Sequence, residues 1–187
     1  MRASPALFLP LIFAVAACGP TAPEPTPQAS EAVPMDAAPS ANPTRAVATL
    51  NTVDGREAGT VTLLPAGEGM RLAVQVKGLT PGEHGIHIHT TGKCDAPTFV
   101  TAGSHWNPAD KKHGLNNPDG GHAGDMPNLT VNQDGTGIVN TTLSGSVAEV
   151  LDADGAAVVI HAKRDDGKTD PSGDSGDRIA CAVLEAS

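Results

Sequence analysis

Tyrosine is absent from this 187-residue chain, and aromatic residues make up only 2% of it. Two of its three phenylalanines, Phe8 and Phe13, lie in an N-terminal apolar run, which leaves Phe99 and Trp106 for a folded part. A core must therefore be built from Val, Ile, Leu and Ala. Positive charge is scarce too. Lys and Arg number 12 against 21 Asp and Glu, a formal net charge of −9, which argues against general affinity for nucleic acid or for anionic membrane surfaces. No apolar run spans a bilayer comfortably as a helix, and no segment carries a sustained apolar stripe at helical spacing. The length allows one ordinary domain with a sizeable core, plus something extra.

The extra part is N-terminal. Arg2 precedes an apolar run from Ala6 to Ala17, which is short for a transmembrane helix and right for the h-region of a secretory signal. The run ends in "VAAC", Val15 to Cys18, which resembles a bacterial lipobox: a branched residue, two small ones, then a cysteine that receives lipid. Residues 1–17 are read as a lipoprotein-type signal peptide and Cys18 as the lipidation site. Cleavage after Ala16, with Cys18 incidental, is the plainer alternative. The odd count of three cysteines favours lipidation, because it leaves two to pair.

Residues 18–45 are read as a tether. Gly19 to Arg45 holds seven prolines and no apolar periodicity, a composition that cannot offset chain entropy by burial. Extended like polyproline, it reaches roughly 80 Å at about 3.1 Å per residue. The expected location is the periplasm or cell envelope, with the membrane touched only through the lipid. Gly19 stands where an inner-membrane retention aspartate would be, which leans the anchor toward the outer membrane of a Gram-negative cell.

Residues 46–187 form the expected domain. Short alternating stretches predict strands near Ala46 to Val53, Glu57 to Leu64, Met70 to Lys77, His84 to Thr90, Asn128 to Asn132, Thr136 to Leu143, Ala157 to Lys163 and Arg178 to Glu185. The segments "VDGRE", "AGEG", "TPGE", "NQDGT" and "DADG" between them carry turn residues. The fold class is all-β, an eight-stranded Greek-key barrel or sandwich of immunoglobulin-like kind, with one wet and one dry face per strand. Two long polar connections, Thr91 to Pro127 and Arg164 to Asp177, interrupt the rhythm and are read as functional loops.

The chemistry lies in the histidines. In "GEHGIHIHT", strand periodicity puts His87 and His89 on one face and Ile86 and Ile88 on the core face. Alone, such a pair is more often solvated surface. The first long loop adds His105, His113, His122 and Asp125, and "VVIHAK" adds His161. Six of the seven histidines thus gather on one loop and the strands flanking it. Imidazole suits copper and zinc, three His with one carboxylate suits zinc, and a metal orders a loop that has little to bury.

Taken together, "GEHGIHIH", "GSHWNP", "KKHG", "GGHAGDMPNL", "VVIHAK" and "GDRIACAV" resemble the copper, zinc superoxide dismutases, specifically their exported bacterial branch. The resemblance covers roughly Ala46 to Ser187. It implies one copper per subunit on His87, His89, His105 and His161. It also implies one zinc on His105, His113, His122 and Asp125, with His105 bridging the two metals. Asp165 matches the carboxylate that links a copper-ligand ring to a zinc-ligand ring, although the adjacent Asp166 competes for that role. Arg178 matches the active-site arginine; a guanidinium suits a small anion.

The implied reaction is dismutation of superoxide to O₂ and H₂O₂ by Cu(II)/Cu(I) cycling, with His105 supplying a proton. In an exported protein Cys94 and Cys181 are expected to pair, with two buried free thiols as the alternative. Lys93, Lys111, Lys112, Lys163, Arg164, Lys168 and Arg178 place more than half of the basic residues on or beside the loops. A local positive field of that kind can steer an anion despite the net charge. His84 is expected to make a structural hydrogen bond, Gly82 and Gly85 to mark a close approach or bulge, and Trp106 to serve as core or interface. The bacterial members occur as monomers or homodimers. A non-enzymatic copper-binding or copper-delivery domain is the competing reading, favoured if a ligand, the zinc set or the arginine were missing. A blue-copper carrier would need a free thiolate beside its histidines.

Overall fold

The computed structural model describes residues 45–187; the expected signal peptide, Cys18 and the linker as far as residue 44 lie outside the described residues. Nine strands follow in order: β1 (Ala46–Thr52), β2 (Glu57–Ala66), β3 (Gly69–Val76), β4 (Gly82–His84), β5 (Ile86–His89), β6 (Leu129–Val131), β7 (Gly137–Ser144), β8 (Ala156–His161) and β9 (Arg178–Ala186). All pair antiparallel, in the order β4-β6-β7-β3-β2-β1-β9-β8-β5. The two ends of that order, β4 and β5, are consecutive in the chain, so the sheet curls almost closed. Local sequence sets the turns. The β2–β3 hairpin pairs Ala66 with Gly69 and turns through Gly67 at φ 62, a conformation that side chains resist.

The ninth strand is a correction to the expected eight. The segment read as one strand from His84 to Thr90 is cut at Gly85: β4 pairs with β6, whereas β5 pairs with β8. At the cut, Gly85 donates to the Lys163 carbonyl at 2.8 Å and accepts from the His161 N–H at 2.8 Å. A Cβ on Gly85 would stand 2.8 Å from Ser175 Cβ and 3.2 Å from Asp165 Cβ, so the crossing needs glycine there. Gly82, at φ 138, has nothing within 4 Å of such a Cβ. One helical turn, α1 (Val147–Val150), is capped by Ser146 and Glu149 in a reciprocal pair and is too short to leave a periodic signal.

Alternation fills the interior as expected. Val61, Leu63, Leu72, Val74, Ile86, Ile88, Val158 and Ile160 are buried in one aliphatic core, and Trp106 joins it. The expected wet face of the histidine strand is not wet. His87 and His89 are 0% and 1% exposed, because the first long loop lies over them. That loop has more apolar anchorage than its composition implies: Phe99 and Ala102 pack on Ala157, Val159 and Cys181, so β8 is buried on both faces.

Cys94 and Cys181 form a disulfide across a sequence separation of 87, fastening that loop to β9. On the chain-entropy view such a closure stabilises by about 4 to 5 kcal/mol. Replacing both cysteines with alanine is expected to lower the denaturant-unfolding free energy by a large part of that amount, and an unchanged midpoint would contradict it.

Candidate metal centre

The loop is stitched to β5 through its backbone. Trp106 N–H donates to the Ile88 carbonyl at 2.8 Å, Gly124 N–H to the Trp106 carbonyl at 2.8 Å, and Ile88 N–H to the Gly124 carbonyl at 3.0 Å. A Cβ on Gly124 would meet the Ile88 carbonyl oxygen at 2.5 Å, so glycine permits the approach. Bridges between His89 and His105, and between His87 and Asp125, follow from this stitching. His161 joins from the end of β8, where the register with β9 shifts.

His87, His89, His105 and His161 each bring one ligand-type atom within 4.8 Å of the others. Each ring keeps one buried nitrogen without a hydrogen-bond partner: His87 Nδ1, His89 Nε2, His105 Nε2 and His161 Nε2. The second nitrogen of each ring is committed. His87 Nε2 pairs with Asp165 Oδ2 at 2.7 Å, and His89 Nδ1 with the Gly103 carbonyl at 2.9 Å. His105 Nδ1 pairs with Asp125 Oδ1 at 2.9 Å, and His161 Nδ1 with the Gly176 carbonyl at 3.1 Å. Four orphaned buried nitrogens in one place are costly for a protein interior, and the donor set is one that suits copper.

Beside this cluster, Asp125 Oδ1 lies 2.9 Å from His105 Nδ1, 3.1 Å from His113 Nδ1 and 3.4 Å from His122 Nδ1. His122 Nδ1 lies 3.3 Å from His105 Nδ1. Ligands bonded tetrahedrally at zinc distances stand about 3.3 Å apart, so these separations suit zinc. A grouping of His87, His105, His113 and Asp125 also falls within 4.8 Å. His87 Nε2 is taken by Asp165, however, and the three Nδ1 atoms around Asp125 describe this pocket better.

Asp165 connects the two clusters. Its Oδ2 meets His87 Nε2 and its Oδ1 lies 3.1 Å from His113 Nε2. Asp165 is buried, whereas Asp166 is exposed and caps Lys168 and Thr169, which separates the two neighbours. Arg178 donates from Nη1 to the Phe99 carbonyl and from Nη2 to the Gly103 carbonyl, both at 2.7 Å. It lines a cavity of about 690 Å³ together with His89, His105 and His161. His84 makes the structural contacts expected of it, to the carbonyls of His161 and Thr80 at 2.8 Å each.

Sequence reasoning missed the groups that hold these side chains. Asn128 grips the Asp165 peptide at both ends, accepting its N–H at 2.8 Å and donating to its carbonyl at 2.9 Å. Asp170 Oδ1 accepts the His113 N–H at 2.6 Å. The Gly103 and Gly176 carbonyls leave no side-chain signal, and Asn128 reads only as the first residue of a strand.

Burial holds the four rings of the first cluster neutral. It pulls His89 down to about 2, His161 to about 3 and His105 to about 4, and lowers His87 as well. Burial also opposes charge on His113, but hydrogen bonds and charges from Asp125 and Asp165 outweigh it and raise that ring to about 9. Burial works against ionisation of those two carboxyls too, yet their histidine partners drive both well below the usual carboxylate range.

In the metal-free protein an unfolded histidine protonates near pH 6.5 while these rings stay neutral. The unfolded chain then binds more protons, so stability falls as pH drops from about 6.5 toward about 4, by about 1.4 kcal/mol per unit for each neutral ring. The His113 contribution is complete below about pH 6.5 and is lost as pH rises through about 9. Denaturant unfolding of metal-free protein at successive pH values checks this, and midpoints that hold steady into acid would contradict it.

The sequence profile of the copper/zinc superoxide dismutase family (SODC) matches residues 57–184. A Cu-Zn superoxide dismutase of Caulobacter vibrioides is 41% identical over 148 residues, covering 75% of this chain and 85% of the relative. Among solved structures, a SOD-like protein from Bacillus subtilis superposes with a TM-score of 0.69 at 39% identity, covering 74% of this chain and 97% of the other. The Cu/Zn superoxide dismutase from Brucella abortus does so with a TM-score of 0.64 at 28% identity, covering 75% and 99%. With the profile spanning most of the described domain and relatives of this closeness, the chain belongs to the copper/zinc superoxide dismutase family.

Proposed function

We propose that this protein is a superoxide dismutase of the cell envelope. The reaction takes two superoxide anions and two protons to one O₂ and one H₂O₂. The observation that carries the reading is the set of four orphaned buried nitrogens, His87 Nδ1, His89 Nε2, His105 Nε2 and His161 Nε2, which are assigned to copper. His105 Nδ1, His113 Nδ1, His122 Nδ1 and Asp125 Oδ1 are assigned to zinc. When bound, copper supplies one-electron redox chemistry, and zinc supplies charge and rigidity.

The remaining work belongs to the side chains. The Arg178 guanidinium is fixed by two carbonyls at 2.7 Å and presents its free N–H edge to an anion in the cavity. His105 offers one nitrogen to each cluster, so its Nε2 can hold and release a proton while Nδ1 keeps the ring in place. Asp165 fixes the orientation and tautomer of His87 and His113. The overlying loop keeps water off His87 and His89.

A disulfide fits an oxidising compartment, and the lipobox-like "VAAC" with its proline-rich tether supports anchorage through lipid on Cys18. A copper store or carrier without activity is the weaker reading, because neither a copper-type nitrogen, nor the zinc-type set, nor the arginine is missing.

Superoxide decay followed by pulse radiolysis on metal-quantified protein is expected to be fast, and His161→Ala to slow it by at least about a hundredfold, of the order seen when a group stabilising the transition state is removed. Full copper occupancy without fast decay would sink the enzyme reading, and rates indifferent to His161→Ala would sink the ligand assignment. Asp165→Asn is expected to weaken zinc retention about 10- to 100-fold in chelator competition, with unchanged retention counting against its bridging role.

A further inference from the structure

Five buried side-chain nitrogen or oxygen atoms among the described residues have no hydrogen-bond partner. Four are the histidine nitrogens assigned to copper. The fifth is the hydroxyl oxygen of Ser175, a residue that is 0% exposed. An orphaned hydroxyl is unfavourable in an interior, and alanine would fill the same place without it. No step of the dismutation uses this group directly.

Its surroundings are specific. Ser175 is pinned by its backbone: the N–H donates to the Ser172 carbonyl at 3.2 Å, and the carbonyl accepts from the Lys163 N–H at 2.8 Å. The side chain lies over Gly85. A Cβ on Gly85 would meet Ser175 Cβ at 2.8 Å, Asp165 Cβ at 3.2 Å and His87 Cε1 at 3.3 Å. The missing side chain of Gly85 thus leaves one small space bordered by a serine, a carboxylate residue and a histidine ring. His87 Cε1 stands between the nitrogen committed to Asp165 and the nitrogen assigned to copper.

The carboxylate has a place left for a donor. Asp165 Oδ1 is engaged by Gly167 N–H at 2.6 Å and by His113 Nε2 at 3.1 Å, whereas Oδ2 is engaged by His87 Nε2 at 2.7 Å and by no other group among the described residues. Each oxygen of an ionised carboxylate can accept two donors. Ser175 and Asp165 border the same space, which puts Oδ2 within reach of the hydroxyl by rotation about the single serine side-chain bond.

We propose that Ser175 is a positioning residue of the copper cluster: its hydroxyl donates to Asp165 Oδ2, stops the carboxylate from pivoting about Oδ1, and so holds the His87 ring with Nδ1 aimed at the metal. The bond to Asp165 keeps the His87 proton on Nε2 and the lone pair on Nδ1. Asp165 acts on His87, and Ser175 acts through Asp165. Gly167 and His113 hold Oδ1 independently, so the effect falls on the copper side and spares the zinc side. The inference rests on the assignment of His87 Nδ1 to copper and does not depend on turnover.

The test compares wild-type protein with Ser175→Ala, which removes only the hydroxyl, and with Ser172→Ala, which removes a half-buried hydroxyl from the same loop. Copper and zinc retention are measured by chelator competition, the copper(II) site by electron paramagnetic resonance, and solvent exchange of the His87 Nε2 proton by NMR on zinc-loaded, copper-free protein.

Ser175→Ala is expected to weaken copper retention about three- to tenfold, as for the loss of one hydrogen bond. It should change the copper hyperfine splitting and speed His87 proton exchange by a similar factor, while zinc retention stays as in wild type. The unfolding midpoint of the metal-free variant should hold or rise, since an orphaned polar group has been removed. Ser175→Ala matching Ser172→Ala in copper retention, spectrum and proton exchange would overturn the proposal, and so would equal losses of copper and zinc. If the wild-type cluster takes up no copper, the copper assignment falls, and His87 proton exchange in the copper-free protein still decides whether Ser175 holds the pair.

Discussion

The carboxylate of Asp165 is the point on which the rest of the site depends. One oxygen holds His87 and the other holds His113, so the ring on β5 and the ring on the loop are set against a common reference. The cost of burying that charge is met locally: Gly167 N–H donates to Oδ1 at 2.6 Å, and Asn128 fixes the peptide at both ends. Removing such a charge from a finished network leaves its partners unsatisfied, which is the expensive direction of the exchange. Both long loops and the start of β6 are therefore parts of one polar framework laid over an aliphatic core.

That core makes the framework possible. Ile86 and Ile88 are fully buried on one face of β5 while His87 and His89 are fully buried on the other, so the histidines project from a strand that cannot slip. A one-residue shift would exchange the two sets completely. The disulfide and the small cluster around Phe99 and Ala102 hold down the overlying loop on the sheet face that also carries the histidines, since Val159 and Ala157 pair directly with His87 and His89. Packing, covalent linkage and polar contacts thus act on different stretches of the same loop.

Much of this was legible in the sequence because period-2 patterning is local. The Ile86/Ile88 and His87/His89 alternation set the faces of β5, and turn residues placed most strand ends. Burial of the histidine face was not legible. It arises when Gly124 and Trp106 bond to Ile88, a contact between segments far apart in the chain. The break at Gly85 was half visible, as a glycine flagged for close approach, but the change of strand partner is a property of the whole sheet. Backbone acceptors such as the Gly103 and Gly176 carbonyls carry no residue-type signature, and Asn128 looked like any polar residue at the start of a strand.

The Gly103 carbonyl has a consequence of its own. It receives His89 Nδ1 at 2.9 Å and Arg178 Nη2 at 2.7 Å, at a glycine with φ 79 where a Cβ would meet Thr90 Oγ1 at 2.6 Å. A single oxygen is thus the shared hinge pin of the His89 ring and the Arg178 guanidinium. Their spacing is tied to the directions of two lone pairs on one atom. A change at the loop surface that leaves this one oxygen in place leaves the ring and the guanidinium at the same separation.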